Sequence, residues 1–596
     1  MKRATLSAIA ALVVMTLSAC GGSNNPPPPS GPSVMVSPAT ANVQEGSSQQ
    51  FTATVTNSSS TAVNWQVNGV NGGSAATGLI SSSGLYTAPA VIPNPATVTI
   101  TAVLQADSSV SGNSIVTVGP VQFNNSSVTG NYVFSLSGLC GVFTSAVCPS
   151  GTTGLPFYIL GTVTADGNGN ITAGEADANS VASGFTQVPR ITGSYSVGSD
   201  GRGILNLTML ALTNQQFSYA FALKALNNAA LNEIDNQAIA ATGNFEQQSG
   251  PLLTPANFAF GFSGVSGCGA LNSNGIFNLS GGNIGGVQDV NCGGRITQAQ
   301  SLSGSYSNPD GFGRGTGRFS ASTGASNFSY YVVSASRYRF LSLNSGGIFL
   351  GSADIQVQAS FSNTDFAGSY VVSTSANTNS VPGGGVSYTL IQLNANNGNI
   401  SSGHYDVNDT GVVGQASLTG AYNLNPNGRI RGSFTVNGTA SLPFAMYLFS
   451  PTQGYYLDER TSASGGGNIY GQSSSVGTNA AWAGSYATKQ FGYFITSTGI
   501  LPSNATAITG QISANGNGTL AGTLDINDPA GILQNQTLQG TYSVGNVAPG
   551  RTTLAITTPT DGTRNYVGYI VDQTRVLLLD VDTNILTAGG DAIRQF

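Results

Sequence analysis

An internal repeat of about 115 residues limits what this chain can fold into. Its first marker, Leu/Ile-x-Gly-x-Tyr, occurs at Ile191–Tyr195, Leu302–Tyr306, Leu418–Tyr422 and Leu538–Tyr542. An Asp-x-Asn pair precedes each copy, at Asp177/Asn179, Asp289/Asn291, Asp406/Asn408 and Asp525/Asn527. Each unit closes with Gly-x4-Gln, at Gly243/Gln248, Gly351/Gln356, Gly467/Gln472 and Gly590/Gln595. Because three markers recur in one order, the sequence predicts four copies of one domain, over residues 123–250, 251–359, 360–474 and 475–596.

Each unit contains short apolar runs that are separated by turn residues. In the first unit these runs are Tyr132–Leu136, Phe157–Thr164, Ile171–Ala176, Ile191–Val197, Ile204–Leu210, Phe217–Leu223, Ala230–Ile234 and Ile239–Phe245. Eight sequential hairpin strands favour a closed antiparallel barrel, which leaves no sheet edge exposed, and a two-sheet sandwich is the alternative. The layout resembles that of avidin or lipocalin barrels. That resemblance concerns the fold alone, and no ligand residue is carried over.

Residues 33–119 precede the repeats and alternate polar with apolar residues, as in Thr97–Val103. This alternation is typical of strands with one buried face. Trp65 lies on a predicted strand, and Ser83–Pro89 follows it. These features resemble bacterial immunoglobulin-like domains of the BIG type. The resemblance implies a β-sandwich that serves as a spacer or an adhesive module.

The first twenty residues predict export and anchoring. Lys2 and Arg3 precede the small and apolar residues 4–19, and Cys20 follows them. This arrangement resembles a bacterial lipoprotein signal peptide with its lipobox, followed by a proline-rich linker at residues 20–32. The resemblance implies cleavage before Cys20, acylation of Cys20 and a position in the cell envelope. Gly21 after the cysteine resembles a signal for the outer membrane, so the expected site is the outer membrane or the cell surface.

The composition argues against two classes of function. Charged residues make up 7% of the chain, the net charge is −6, and the lysines are Lys2, Lys224 and Lys489. Nucleic-acid binding needs a basic patch, and the sequence has no cluster of Lys and Arg. General acid–base catalysis near neutral pH most often uses histidine, and here only His404 is present, on a strand that we expect to be exposed. We therefore expect a protein that is not an enzyme and uses no cofactor or metal.

Four cysteines remain after Cys20, and an even number in an exported protein indicates disulfides. Three pairings are possible. We favour Cys140–Cys148 and Cys268–Cys292, because each pair then lies within one repeat unit. A four-cysteine zinc site is disfavoured, since the paired short ligand spacings are missing.

Several patterns have a structural and a functional interpretation. The segment Asp166–Asn170, with Asp177 at the twelfth position, resembles an EF-hand loop, but Ile171 replaces the required glycine, so a hairpin turn is favoured. The Asp-x-Asn pairs are expected to cap strand ends through Asx turns rather than to bind a ligand. Trp482 could stack on a sugar, but Phe366 holds the matching place in the third unit, which favours core packing.

The sequence thus predicts an all-β surface lipoprotein that binds or adheres and is not an enzyme. Its expected partners are membrane lipid through acylated Cys20 and glycans or surface proteins. A carrier of small apolar ligands in the barrels, a structural envelope scaffold and a hydrolase that uses carboxylates alone are the alternatives. A carrier predicts open apolar interiors, a scaffold predicts filled ones, and adhesion predicts exposed aromatic and amide patches.

Overall fold

The computed structural model describes residues 31–595, apart from 142–146, 210–214, 226–227, 236–237, 251–254, 322–323, 379–384, 497–498 and 584. Cys20, the signal peptide and most of the linker lie outside the described residues. Contacts between Cα atoms divide the chain into two compact units. Among the described residues, no helix has both the length and the apolar character needed to cross a membrane.

The N-terminal unit consists of strands in three sheets. Its strands are β1 (Ser33–Ser37), β2 (Thr40–Gln44), β3 (Ser48–Gln50), β4 (Thr52–Thr56), β5 (Val63–Val67), β6 (Val70–Asn71), β7 (Gly73–Ser74), β8 (Gly78–Ile80), β9 (Leu85–Thr87), β10 (Thr97–Leu104) and β11 (Ser111–Gly119). The sheets have the orders β1-β4, β2-β11-β10-β5-β6 and β3-β9-β8-β7. Trp65 on β5 is buried with Phe51 and Tyr86, as the alternating pattern predicts for inward positions.

The second unit contains four barrels, which we number along the chain. Barrel 1 comprises β12 (Thr129–Cys140), β13 (Pro156–Asp166), β14 (Asn170–Ser180), β15 (Gly184–Val188), β16 (Ile191–Val197), β17 (Arg202–Met209), β18 (Gln215–Ala225), β19 (Asn228–Glu233) and β20 (Ala238–Gln247). Barrel 2 comprises β21 (Asn257–Ser266), β22 (Gly269–Ser280), β23 (Asn283–Cys292), β24 (Arg295–Tyr306), β25 (Arg314–Ala321), β26 (Gly324–Ser334), β27 (Arg337–Ser342) and β28 (Gly347–Ile355).

Barrel 3 comprises β29 (Gly368–Thr378), β30 (Gly385–Asn396), β31 (Asn399–Asp409), β32 (Val412–Leu424), β33 (Arg429–Val436), β34 (Ala440–Ser450), β35 (Gln453–Asp458) and β36 (Ala463–Gly471). Barrel 4 comprises β37 (Ala483–Thr496), β38 (Gly499–Asn515), β39 (Thr519–Asp528), β40 (Gly531–Val544), β41 (Arg551–Thr558), β42 (Gly562–Asp572), β43 (Arg575–Asp580) and β44 (Leu586–Arg594). Short 3-10 turns at Asn125–Ser127 and Asn479–Ala481 precede barrels 1 and 4.

All four barrels are closed antiparallel meanders. In barrels 2 to 4, each strand pairs with its neighbours in sequence, and the last strand pairs with the first. Barrel 1 closes in the same way through β12–β20 and β13–β14. Its fourth strand is broken into β15 and β16, which both pair with β14, and β15 was not predicted from the sequence. The prediction of eight-stranded barrels is therefore confirmed, and the sandwich alternative is wrong for the repeats.

The Gly-x-Tyr marker contributes to closing each barrel. A Cβ added at Gly193, Gly304, Gly420 or Gly540 would collide with a carbonyl of the neighbouring strand, so only glycine permits this approach. In three barrels the tyrosine hydroxyl donates a hydrogen bond to the backbone just before the first strand. These bonds are Tyr195–Val128, at 2.7 Å, and Tyr422–Phe366 and Tyr542–Trp482, both at 2.6 Å. The tyrosine thus fixes the entry of the chain into its barrel.

Candidate functional site

The barrel interiors are filled by their own side chains. The core of barrel 2 contains a network of contacting rings that includes Phe258, Phe260, Phe319 and Phe340. The apolar cavity found within it measures about 30 Å³, far below the roughly 300 Å³ at which ligand pockets usually begin. The other three barrels have comparably continuous buried apolar clusters. The described interiors therefore resemble packed cores more than open ligand chambers.

The aspartates of the four Asp-x-Asn pairs lie at the contacts between barrels. Asp177, Asp289 and Asp406 each receive two hydrogen bonds from an arginine of the following barrel. The arginines are Arg314, Arg429 and Arg551, and all six nitrogen–oxygen distances are 2.7–2.9 Å. A tyrosine of the same following barrel adds a third donor to each carboxylate. These tyrosines are Tyr331, Tyr447 and Tyr569.

The asparagines and the closing glutamines also reach into the neighbouring barrel. The Nδ2 atoms of Asn179, Asn291, Asn408 and Asn527 donate to the backbone carbonyls of Ser342, Asp458, Asp580 and Glu233, at 2.6–3.0 Å. The closing glutamines do the same through Nε2. Gln248, Gln356, Gln472 and Gln595 donate to the backbone carbonyls of Val332, Leu448, Ile570 and Leu223, at 2.7–3.1 Å. The repeat markers therefore hold the repeats to one another.

The predicted Asx role is only part of the function of these pairs. The Oδ1 atoms of Asn291 and Asn408 do accept a backbone N–H three residues on, from Gly294 and Gly411. Their amide nitrogens, however, bond across the interface. The prediction treated each repeat separately, and a polar outward position looks the same in sequence whether it faces solvent or another domain.

The contacts between barrels form a closed cycle. Barrel 1 binds barrel 2, barrel 2 binds barrel 3, barrel 3 binds barrel 4, and Asp525, Asn527 and Gln595 join barrel 4 to barrel 1. We call this assembly the ring and its 4–1 junction the seam. At the seam, the ion pair is weaker, because Arg202 contacts Asp525 through Nη1 at 3.2 Å while its Nε binds Asp200.

Two further features distinguish the seam. Ala222 occupies the place of the interfacial tyrosine, since it pairs with Arg202 as Tyr331 pairs with Arg314. The fully buried apolar residues shared across the seam are alanines, Ala240, Ala505 and Ala507. The other three junctions bury larger side chains, such as Leu160, Leu341 and Val371. The fully buried apolar side chains at the seam are therefore smaller, with Leu139, Phe491 and Tyr493 partly buried beside them, and the ion pair has poorer geometry.

A cavity of about 440 Å³ lies where the four barrels meet. Its wall includes equivalent residues of the first strand of each barrel, namely Ser135, Gly261, Ser373 and Lys489. Their partners on the last strands also line it, namely Asn244, Ser352, Asn468 and Asp591. Each of these partners directly follows the glycine of the Gly-x4-Gln marker. A Cβ on Gly243, Gly467 or Gly590 would collide with a carbonyl of the first strand, so glycine permits the strand contact beside the cavity.

Charged side chains gather around this cavity, although the chain is poor in charge. Arg339, Lys489 and Asp591 line it, and Lys224, Arg337, Glu246 and Asp354 are linked to these through ion pairs and charge interactions; we call all seven the axial cluster. Arg339 donates to Glu246 at 2.7 Å, and Arg337 donates to Asp354 at 2.7 Å and to Glu246 at 3.4 Å. Burial opposes ionisation of Glu246, but Arg339, Arg337 and Lys224 lower its pKa to about 2.

The two lysines of the axial cluster have strongly perturbed surroundings. Burial and the proximity of Lys224 lower the pKa of Lys489 to about 7, although Asp591 acts in the opposite direction. Burial also lowers the pKa of Lys224. Asp591 is shifted the other way: its burial would raise its pKa, but Lys224, Lys489 and Arg575 together lower it. Perturbed groups in a cavity are typical of functional sites.

The structure accounts for the remaining candidate residues. Cys140–Cys148 and Cys268–Cys292 form disulfides, as the repeat boundaries predict. Asp166 accepts hydrogen bonds from the backbone of Asn168 and Asn170, so the EF-hand-like segment is a hairpin turn. Among the described residues, no group of three or more His, Cys, Asp and Glu side chains is placed to hold a metal ion.

Two aromatic or basic candidates lie in buried positions. Trp482 is fully buried against Tyr486 and Tyr542, so it packs in the core of barrel 4 as predicted. His404 differs from the prediction of an exposed residue, because only 12% of its side chain is exposed. It lies 3.6 Å from Asp406 in the 3–4 junction, and burial lowers its pKa. The interface with barrel 4 covers the strand face that the sequence reading assigned to solvent.

The interfacial arginines hold the barrels together, and the sequence did not single them out. Each is the first residue of the fifth strand of the barrel meander and follows a glycine, in Gly201-Arg202, Gly313-Arg314, Gly428-Arg429 and Gly550-Arg551. Because this Gly-Arg pair recurs with the repeat, it was a fourth marker available in the sequence. Its pairing with the aspartates of a different unit could not be read from spacing alone.

Comparisons with known proteins give no family. No protein-family model matches the chain, and no curated protein matches it. The isotype 1 transferrin binding protein B from serogroup B Neisseria meningitidis is 10% identical, over 63% of this chain and 83% of that chain, with a TM-score of 0.17. The alcaligin outer membrane receptor FauA from Bordetella pertussis is 9% identical, over 83% of this chain and 81% of that chain, with a TM-score of 0.12. At these TM-scores, neither likeness carries an argument.

Proposed function

We propose that this chain is a non-enzymatic binding protein of the cell envelope, anchored by lipid on Cys20, with its ligand site in the cavity at the centre of the ring. The observation that carries the proposal is the contrast between filled barrels and a polar cavity of about 440 Å³ that all four barrels line. Ligand pockets in proteins commonly measure about 300–1,000 Å³, so this cavity has the size of a small-molecule site.

The filled barrels argue against the carrier alternative, which needs an open apolar interior. Adhesion through exposed aromatic patches has little support in the described barrels. Among their most exposed large apolar side chains, Phe185 is the aromatic one and the others are aliphatic. A structural scaffold remains the second candidate, because filled barrels joined in a ring are what a scaffold requires.

Native mass spectrometry of the intact chain, purified gently from its host, tests the ligand site. We expect an additional mass that leaves on denaturation. The matched control is Ser375→Trp, because Ser375 is an exposed residue of the cavity wall and the larger indole would obstruct the space. The additional mass should be missing from this variant. A bare mass for the wild type, with no binding in titrations of sugars and small anions, would favour the scaffold.

Anchoring has its own test. Replacing Cys20→Ala should move the mature protein from the membrane fraction to the soluble fraction, since one or more acyl chains are the expected anchor. A variant that stays with the membrane, together with a wild type that incorporates no labelled fatty acid, would contradict the lipoprotein assignment. Neither outcome affects the proposal for the cavity.

A further inference from the structure

The two lysines of the ring have unused hydrogen-bonding capacity at the cavity. Lys489 donates to Oδ1 of Asn244 at 3.1 Å, and Lys224 approaches the same oxygen at 3.4 Å. A protonated amine has three donors, so one shared amide oxygen leaves most of them unused. Among the described residues, neither amine has a carboxylate oxygen within 4.0 Å, whereas Arg337 and Arg339 are each bonded to carboxylates.

Asp591 does not neutralise these lysines by direct contact. It lies on the last strand of barrel 4, opposite Lys489, and interacts with both lysines and with Arg575 through space. Its Oδ1 atom is buried and has no hydrogen-bond partner among the described residues. Because Asp591 reaches the two amines only through space, the donors of Lys489 and Lys224 stay available to a further group.

The position of Lys489 also indicates a role other than forming the ring. The equivalent residues in barrels 1 to 3 are Ser135, Gly261 and Ser373, and those barrels close and join their neighbours without a cation there. Lys224 is likewise outside the Asp-x-Asn, Gly-Arg and Gln contacts that hold the ring. Neither lysine is therefore needed for the contacts that the repeats share.

We propose that the central cavity binds a small ligand through an oxyanion group, a carboxylate, phosphate or sulfate, held by Lys489 with Lys224 behind it. This inference rests on the proposed function and names the ligand class for the same site. Charge-assisted hydrogen bonds from an amine to an oxyanion are the strong ones, and they would use the free donors. Arg339, Asn244 and Tyr388 on the wall supply further donors and an aromatic face for the rest of the ligand.

The test is calorimetric titration of the full chain with matched probes. D-galacturonate and D-galactose differ by the carboxylate, and inorganic phosphate and sulfate supply the other two oxyanions. We expect at least one oxyanion to bind with a Kd of about 1 mM or tighter, at least tenfold more tightly than galactose. Lys489→Gln should weaken that binding at least tenfold, and Lys489→Arg should retain most of it.

Two controls make the result specific to the cavity. Arg318→Gln removes an exposed cation elsewhere in barrel 2 and should leave binding unchanged. Ser375→Trp should abolish binding. If galactose binds as well as galacturonate and Ser375→Trp abolishes both, the oxyanion inference fails while the cavity site stands. If oxyanion binding survives in both Lys489→Gln and Ser375→Trp, or no oxyanion binds, the inference is also overturned. If, in addition, no ligand of any class binds, the proposed function fails with it.

Discussion

The ion pair between Asp406 and Arg551 should be a major source of the stability of the 3–4 junction. Two hydrogen bonds of 2.9 and 2.7 Å join the carboxylate and the guanidinium, and Tyr569 donates a third bond of 2.6 Å. Asp406 is 3% exposed. Removing one member of a buried pair leaves the other without its partner and costs about 3–5 kcal/mol. We therefore expect Asp406→Asn to lower the free energy of unfolding by about 3 kcal/mol.

A double-mutant cycle isolates the interaction itself. With Asp406→Asn, Arg551→Gln and the double variant, the coupling energy should be about 2–3 kcal/mol. The matched cycle at the seam uses Asp525→Asn and Arg202→Gln. It should give less than about 1 kcal/mol, because a single nitrogen of Arg202 reaches the two Asp525 oxygens at 3.2 and 3.5 Å and Ala222 stands in place of the tyrosine donor.

Urea unfolding is the assay, followed by the fluorescence of Trp482 in barrel 4. A Trp65→Phe background removes the signal of the N-terminal unit, since Trp65 and Trp482 are the two tryptophans. The free energies come from linear extrapolation in urea. Coupling energies below about 0.5 kcal/mol in both cycles would refute the reasoning that buried cross-barrel pairs hold the ring. Equal and large coupling energies in the two cycles would refute the inference that the ion pair at the seam is the weaker one.

Three further perturbations test the structure. Tyr569→Phe removes a hydrogen bond to a charged group and should lower the free energy of unfolding by about 2 kcal/mol in the same urea assay; no loss would mean that the hydroxyl does not stabilise Asp406. Replacing both Cys268 and Cys292 by Ser should cost about 3 kcal/mol, because it reopens a loop whose ends are 24 residues apart, and peptide mapping without reduction should find this link in the wild type. Lys489 has a pKa of about 7 in the folded state, below that of an unfolded lysine, so the unfolded state binds more protons above pH 7 and stability should rise with pH. The difference in unfolding free energy between wild type and Lys489→Met should increase from pH 7 to pH 9 by at most about 1.4 kcal/mol per pH unit, and a flat difference would contradict the perturbed pKa.

The local structure of the repeats could be predicted from sequence because its signals are local. Alternating residues, glycine-rich turns and recurring markers predicted all eight strands of the barrel 1 meander, and Ile191–Val197 has the bounds of β16. The strand β15 was missed, since Gly184–Val188 is short and forms a separate strand only in barrel 1, where the other barrels have the first half of one longer strand such as β24. The disulfides could be predicted as well, because each joins two cysteines of the same repeat unit.

The ring and its cavity could not be predicted in this way. Asp406 and Arg551 belong to different units, and no spacing rule shows that the outward face of one barrel packs against the next. His404 was misassigned for this reason. The repeat pattern did not point to Lys489, because the equivalent residues of the other three barrels are serine or glycine. The cavity arises only when four such positions converge, which is a property of the assembled ring.

The equivalent positions around the cavity have a consequence for how such a site can arise. In a homotetramer built from four separate copies of one barrel, any residue placed at the axis would appear four times. Four ammonium groups in place of Ser135, Gly261, Ser373 and Lys489 would repel one another across the shared cavity, and four aspartates opposite them would do the same. When one chain carries all four barrels, the four equivalent positions can hold different residues. With one Lys489 and one Asp591, the four sides of the cavity differ in charge, so a ligand bound there has one preferred orientation instead of four.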